Sequence, residues 1–113
     1  MLLVVDVGNT NITLGLYEGD TLGPRWRMAT DHDMMPDQLG LQFVGMLTHA
    51  RILIEDLHGI CLASVVPPLT GKVVEACRNY LQKDPLIVDA GVKTGVRVLY
   101  EDPKAVGADR IVD

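Results

Sequence analysis

The 113 residues of this chain are 48% hydrophobic and carry a formal net charge of −5, which suits one compact domain with a core of its own. Its 10 basic residues are scattered along the chain, so there is neither a basic face for a nucleic-acid backbone nor a polybasic segment for an anionic membrane. Nucleic acid and membranes are therefore not expected as partners.

The sequence patterns also argue against export and zinc binding. The first apolar run lacks a basic preamble and soon reaches Asp6, so it is too short for a signal peptide or a membrane span. Cys61 and Cys77 form neither a Cys-x-x-Cys pair nor a disulfide framework, which predicts buried, reduced thiols in a cytoplasmic protein. The histidines have no i, i+4 partner and no nearby cysteine, so a zinc site is not expected.

A β-hairpin is predicted at the start of the chain. Apolar β-formers lead to Asp6, a Gly-Asn-Thr-Asn corner at residues 8–11 turns the chain, and residues 12–16 alternate along a second strand. Glycine admits a ligand close to the backbone, and turn amides with Asn and Thr side chains form a concave set of donors for phosphate. An acid at the strand end suits the magnesium that accompanies a nucleotide. An ordinary tight turn with an incidental Asp has the same residues, so this short motif is a weak signal alone.

A third strand and a first helix are predicted next. Residues 22–29 have the length and composition of a strand, and Pro24 confines its start to a sheet edge or a bulge. The helix begins at Pro36, after which apolar residues recur at helical spacing. Gly40 and Gly45 weaken this helix, which indicates either close packing against the sheet or an uncertain boundary.

The middle of the chain predicts two parallel strands joined by a second helix. Residues 59–66 form a continuous apolar run, typical of a central strand covered on both faces, and Pro67-Pro68 stop it. An amphipathic helix over residues 69–81 and another buried strand over residues 85–89 follow. Two β-then-α crossovers imply parallel pairing, so the order β, β, β, α, β, α, β predicts an α/β fold with a mixed sheet.

The end of the chain predicts a loop over residues 90–95, a short strand over residues 96–100 and a further helix. Asp102-Pro103 is the predicted cap of that helix. No internal repeat, linker or low-complexity segment is visible in the sequence.

Four motifs taken together resemble the type III pantothenate kinases, and the match runs in order over essentially the whole chain. Any one motif is weak, so the specificity comes from the set. The motifs are Asp6-Val7-Gly8-Asn9-Thr10-Asn11, Ala63-Ser64-Val65-Val66-Pro67-Pro68, Gly91-Val92-Lys93-Thr94-Gly95 and Pro103-Lys104-Ala105-Val106-Gly107-Ala108-Asp109-Arg110.

The resemblance implies a fold from the superfamily of acetate and sugar kinases, heat-shock ATPases and actin. Residues 1–113 are then the N-terminal, ribonuclease-H-like lobe of a two-lobe kinase, with three antiparallel strands followed by parallel strands and crossover helices. The implied activity is ATP-dependent phosphorylation of pantothenate to 4′-phosphopantothenate, the first step of coenzyme A biosynthesis. The implied cofactors are Mg²⁺ with ATP and a monovalent cation, K⁺ or NH₄⁺, and the implied assembly is a cytoplasmic homodimer.

By position, Asp6, Gly8, Asn9 and Thr10 resemble the first phosphate motif, which binds the ATP phosphates, and Asp6 resembles a ligand of their Mg²⁺. Phosphoryl transfer passes through a loose transition state, so the protein acts mainly by aligning the reactants and neutralising charge. A carboxylate at this position suits that task. Capping its own turn is the competing role for Asp6.

The last motif resembles the acceptor side of the site. Asp109 is similar to the catalytic base, which accepts the proton of the pantothenate primary hydroxyl as that oxygen attacks phosphorus. Arg110 offers a planar fork for the substrate carboxylate, and Gly107 leaves room for substrate near the backbone. Tyr100 resembles a residue that lines the pantothenate pocket. Alternatively, Asp109 and Arg110 are solvated residues in the first turn of a helix.

The sequence departs from the family pattern at Ala105, where many relatives have Glu or Gln, and at Thr13, where some have lysine. The larger departure is a missing second lobe with its Asp-x-Gly-Thr phosphate motif. A phosphate held by one wall stays exposed to water, which screens its charge interactions. We therefore expect these residues to be inactive, or nearly so, by themselves.

Two other functions fit the same fold. A non-catalytic nucleotide-binding or regulatory lobe would retain the phosphate motif without turnover, because function belongs to the completed site. A ribonuclease-H-like nuclease would use Asp6 as a metal ligand, but it would need further acids nearby and a positively charged approach for nucleic acid. The kinase interpretation requires that Asp6 and Asp109 meet across one cleft.

Overall fold

The computed structural model describes residues 1–88, which form a mixed five-stranded sheet and two α-helices. The strand order is β3-β2-β1-β4-β5, which confirms the predicted α/β class. None of the helices in this part of the chain is long and apolar enough to cross a membrane. The elements are β1 (Leu2–Val7), β2 (Asn11–Glu18), β3 (Thr21–Ala29), α1 (Pro36–His49), β4 (Gly59–Ser64), α2 (Pro67–Tyr80) and β5 (Leu86–Val88), with a short 3-10 turn at Ile54–Asp56.

The predicted hairpin is confirmed. β1 and β2 pair antiparallel, from Leu2 opposite Tyr17 to Val7 opposite Ile12 at the turn. β3 extends the meander beside β2, with an irregularity of register between Gly15 and Tyr17. Among the described strands β3 lies at one edge of the sheet, which is where a strand that contains proline is tolerated.

Alternation along the strands separates the sheet into two faces. One face packs under the helices as the main core, and the other carries a smaller apolar cluster together with Asp6. Side chains three and four apart on each helix complete the main core. The buried members of that core from β1 and β2 are Leu3, Val5, Val7, Ile12, Leu14 and Leu16, and those from the helices include Leu39, Phe43, Leu47, Leu69, Val73, Ala76 and Cys77.

Both predicted crossovers are present, since β4 pairs parallel with β1 and β5 pairs parallel with β4. β4 ends at Ser64 rather than at residue 66. Pro67 and Pro68 do not merely stop the strand, because they are the first residues of α2, where a missing N–H costs nothing. β4 is an interior strand, as its apolar run predicts, but β1 rather than β4 is the middle strand of the five.

The prediction of another buried strand at residues 85–89 is wrong in part. Within the described residues β5 covers Leu86–Val88, and the side chain of Ile87 is 56% exposed. Among the described strands β5 has β4 as its single neighbour and lies at the edge. An apolar run is equally compatible with an edge strand and a central one, so periodicity did not distinguish them.

The glycines of α1 have different surroundings. A Cβ on Gly40 would overlap the ring of Tyr80 in α2, whereas nothing lies within 4 Å of a Cβ on Gly45. The Tyr80 hydroxyl donates a 2.9 Å hydrogen bond to Asp37 Oδ1, which joins the end of α2 to the start of α1. Gly40 therefore serves close packing between the two helices. Close packing against the sheet was one of the two predicted alternatives, the other being an uncertain helix boundary.

Both cysteines are buried thiols, as predicted. Burial, with a smaller contribution from the nearby Asp84 carboxylate, raises the pKa of Cys77 to about 12. The thiol therefore stays protonated and unreactive near neutral pH.

Candidate functional site

The loop between β1 and β2 is the part of the structure that carries the predicted phosphate motif. It closes with a 2.9 Å hydrogen bond from the backbone N–H of Gly8 to the carbonyl of Asn11. A Cβ on Gly8 would lie 3.1 Å from that same carbonyl oxygen, which is tighter than ordinary van der Waals contact. Glycine thus permits a turn as sharp as this one.

Thr30, directly after β3, braces the loop from the side. Its hydroxyl donates a 2.7 Å hydrogen bond to the carbonyl of Gly8. Its backbone N–H donates a 2.9 Å hydrogen bond to the carbonyl of Thr10. Two carbonyls of the loop are thereby tied to the residue that follows β3, which limits the movement of the loop.

Two backbone amides of the loop, those of Asn9 and Thr10, remain available within the described part of the chain. Asn9 and Thr10 are exposed, and their backbone N–H groups donate no hydrogen bond within residues 1–88. Successive free amides in a glycine-containing turn form a concave group of donors that suits phosphate oxygens. Phosphate binding by the loop stays a prediction, which these two amides support.

Asp6 is half-buried on the face of the sheet opposite the helices. It lies between Thr13 of β2 and Ala63 of β4 in the sheet register. It also lines a pocket of about 320 Å³ that opens on this face. The other residues of this pocket, which we call the Asp6 pocket, are Val4, Thr13, Gly15, Tyr17, Leu22 and Arg25.

A second pocket of about 440 Å³ adjoins the Asp6 pocket. Thr13, Arg25, Trp26 and Arg27 line it, so Thr13 and Arg25 are common to both. The scattered basic residues of the sequence did not predict that Arg25 and Arg27 lie side by side in one pocket. Two arginines at alternate positions become neighbours only when the residues between them are known to form a strand.

The exit of β4 is held beside the hairpin loop. The backbone N–H of Val65 donates a 3.0 Å hydrogen bond to the carbonyl of Val7. Ser64 Oγ accepts hydrogen bonds from the backbone N–H of Val66 at 3.1 Å and from the Thr70 hydroxyl at 2.9 Å. Ser64 thus orders the strand exit and the start of α2, as predicted, and has no neighbouring base among these contacts to activate it as a nucleophile.

A magnesium ion carried with a nucleotide fits the residues around Asp6. Mg²⁺ is commonly bound through one or two carboxylates together with substrate phosphates. Asp6 supplies one carboxylate at an open pocket, on the strand that leads into the loop. Residues 1–88 contain no group of three or more His, Cys, Asp or Glu side chains that would bind a metal by themselves. The predicted metal role of Asp6 thus depends on the phosphates.

The remaining predicted site residues lie outside the described part of the chain. These positions stay predictions from the sequence, and so does their distance from Asp6. They are Tyr100, Gly107, Asp109 and Arg110.

Comparison with known proteins identifies the family. The sequence profile of the type III pantothenate kinases matches residues 2–113. The chain belongs to this family. Among its relatives, the type III pantothenate kinase of Halalkalibacterium halodurans is 42% identical over 113 residues, and those of Brevibacillus brevis and Syntrophotalea carbinolica are each 43% identical over the same length.

The match covers all of this chain but less than half of each relative. Each of these three alignments spans 100% of the 113 residues and 44% of the relative's own length. The chain therefore spans less than half the length of these relatives.

Proposed function

We propose that this chain is the N-terminal lobe of a pantothenate kinase that transfers the γ-phosphoryl group of ATP to pantothenate and forms 4′-phosphopantothenate. The observation that carries the proposal is the braced loop. Thr30 ties down two of its carbonyls, and the backbone amides of Asn9 and Thr10 donate no hydrogen bond within residues 1–88. The loop directly follows the strand that carries Asp6. Family membership supplies the reaction type and the names of both substrates. ATP and pantothenate are thus the proposed partners.

On the donor side, the loop amides bind and orient the phosphates, and Thr30 maintains the loop's shape. Asp6 would hold the Mg²⁺ that, when bound, neutralises phosphate charge. Because the transition state of phosphoryl transfer is loose, this alignment and charge neutralisation account for most of the catalysis.

On the acceptor side, Asp109 is the proposed general base. Its carboxylate accepts the proton of the pantothenate primary hydroxyl while that oxygen bonds to the γ-phosphorus and the bond to the leaving ADP oxygen breaks. Arg110 binds the pantothenate carboxylate through two parallel hydrogen bonds. Gly107 and Tyr100 shape the surrounding pocket.

The second wall of the nucleotide site is proposed to come from sequence that corresponds to the rest of the relatives' length. A single lobe leaves the phosphates exposed to water, which weakens each charge interaction. We therefore infer that the 113-residue chain alone is inactive or nearly so. The monovalent cation, the homodimer and the cytoplasmic location belong to the same proposal.

The proposal is tested with the protein expressed from its complete reading frame, compared with the 113-residue chain. Pantothenate-dependent ADP formation and calorimetric titrations with MgATP and with pantothenate are measured for both. Binding of both ligands and turnover by the complete protein support the kinase. Binding of nucleotide without any turnover in the complete protein would support the regulatory alternative instead.

A nuclease is a poorer fit. Metal-dependent nucleases need several acids around the metal, and residues 1–88 place no group of three or more such ligands together. Hydrolysis of RNA or DNA by the complete protein in Mg²⁺ would contradict the kinase assignment.

A further inference from the structure

Two arginines of β3 lie on the same face of the sheet as Asp6. Trp26 packs against the main core on the helix side, so alternation along the strand puts Arg25 and Arg27 on the opposite face. The register aligns Asp6 with Thr13, and Thr13 with Arg27. The Cα atoms of Asp6 and Arg27 are thus two strand spacings apart, about 10 Å.

Both arginines line the pockets on this face. Arg25 lines the Asp6 pocket, and Arg25 and Arg27 together line the adjoining one. Thr13 belongs to both pockets and separates Asp6 from Arg27 in the register. The stem of Arg25 passes close to Gly15, where a Cβ would lie 3.7 Å from Arg25 Cγ. The Arg25 stem therefore crosses this face next to position 15, and its side chain lines the same pocket as Asp6.

No described residue forms an ion pair with either of these arginines. Within residues 1–88, neither guanidinium takes part in an ion pair or a side-chain hydrogen bond. By contrast, Arg78 Nε is paired with Asp84 Oδ1 at 2.7 Å. A guanidinium presents a planar fork of donors that matches phosphate oxygens and keeps its charge at all physiological pH values.

We propose that Arg25 and Arg27 bind the terminal phosphates of the nucleotide whose Mg²⁺ is held at Asp6. This inference rests on the proposed kinase function. It adds two positively charged side chains to the proposed nucleotide site, on the β3 side of the loop. The pantothenate carboxylate is the other anion that could reach an arginine. The phosphates are favoured because the register joins Arg27 through Thr13 to the residue proposed to hold their metal.

The test uses the complete protein with Arg25→Met, Arg27→Met and the double variant, which keep the length of the stem without the charge. Calorimetric titration with MgATP is expected to give a dissociation constant at least about tenfold higher for the double variant. Its affinity for pantothenate stays within about twofold of wild type. Arg27→Lys restores part of the loss, because it returns the charge without the fork.

Arg78→Met is the matched control, since it removes a charge remote from this face and is expected to leave MgATP affinity unchanged. The proposal is overturned if the double variant, with an unchanged circular dichroism spectrum and melting temperature, binds MgATP as tightly as wild type. It is also overturned if pantothenate affinity falls instead. Failure of the kinase function itself is seen separately, as absence of pantothenate phosphorylation by the wild-type protein.

Discussion

The hydroxyl of Thr30 and the carbonyl of Gly8 are joined by a hydrogen bond of 2.7 Å, so the residue after β3 holds the loop between β1 and β2 in place. This contact joins positions 22 residues apart in the chain. It makes the shape of the proposed phosphate loop depend on the third strand as well as on its own turn.

Replacement of Thr30 by Val tests this contact. The change keeps the side-chain shape and the backbone hydrogen bond to Thr10 but removes the hydroxyl, leaving the Gly8 carbonyl with one partner fewer. We expect the complete protein to lose about 1 kcal/mol of unfolding free energy and to bind MgATP severalfold more weakly. Urea unfolding and calorimetry measure the two effects.

The control for that variant is Thr21→Val, an exposed position at the other end of the same strand. Thr21→Val should leave both stability and MgATP affinity near the wild-type values. Equal MgATP affinity in Thr30→Val and wild type would show that the hydroxyl does not shape the binding loop.

Gly40 and Gly45 provide a matched pair on one helix. Gly40→Ala would drive a methyl group into the ring of Tyr80, and overpacking of this kind costs about 1–3 kcal/mol. Gly45→Ala meets open space and should stabilise the helix by up to about 1 kcal/mol. Unfolding midpoints in urea compare the two, and a stabilised Gly40→Ala would contradict the close packing of α1 on α2.

The hydrogen bond from Tyr80 to Asp37 predicts a dependence of stability on pH. The hydrogen bond, followed by desolvation and the negative charge of Asp37, raises the pKa of Tyr80 above its usual value. A raised pKa in the folded state means that the stabilisation is present below the ordinary tyrosine pKa and is lost as pH rises through the folded value. Tyr80→Phe keeps the ring that Gly40 packs on and removes only this contribution.

Thermal melts of wild type and Tyr80→Phe check the pH dependence. The wild type should melt higher at about pH 8, and the difference should shrink as the pH rises above the ordinary tyrosine pKa of about 10. A difference in melting temperature that is constant over this interval would mean that the hydroxyl contributes through packing alone.

The burial of Cys77 predicts that its thiol is protected from alkylation in the folded state. Burial raises its pKa from 9.0 to about 12, so the protein loses stability as pH rises above the unfolded thiol's value. Near neutral pH, iodoacetamide should label this cysteine far more slowly in the native protein than in urea. Peptide mass analysis reads the labelling, and rapid labelling of the native protein at Cys77 would refute the burial.

Much of the fold could be predicted from local patterns. Alternation specifies the hairpin because one face of each strand is buried, with Ile12, Leu14 and Leu16 all in the main core. The parallel strands follow from their helical connections. Edge and interior positions were less predictable, since Ile87 lies in an apolar run but is exposed at the edge of the described sheet.

The candidate site was predictable only in part. Asp6 and the glycine turn carry a local signal, and within residues 1–88 the amides of Asn9 and Thr10 in that turn donate no hydrogen bond. The roles of Thr30 and of Arg25 depend on strand pairing across many residues, which no local spacing encodes. For Asp109 the sequence remains the source of the prediction, because it lies outside residues 1–88.

The most direct test of the kinase account distinguishes the role proposed for Asp6 from the role proposed for Asp109. In the complete protein, Asp6→Asn, Asp109→Asn and Asp33→Asn are compared by MgATP titration and by the rate of pantothenate phosphorylation. Asp33 is an exposed acid in the connection before α1 and serves as the control.

We predict that Asp6→Asn binds MgATP at least about tenfold more weakly, because the phosphate-bound metal loses its protein ligand. Asp109→Asn should keep its affinity for MgATP while its kcat falls on the order of a hundredfold or more, as expected for loss of a general base. Wild-type MgATP affinity in Asp6→Asn, or wild-type turnover in Asp109→Asn, would contradict the account.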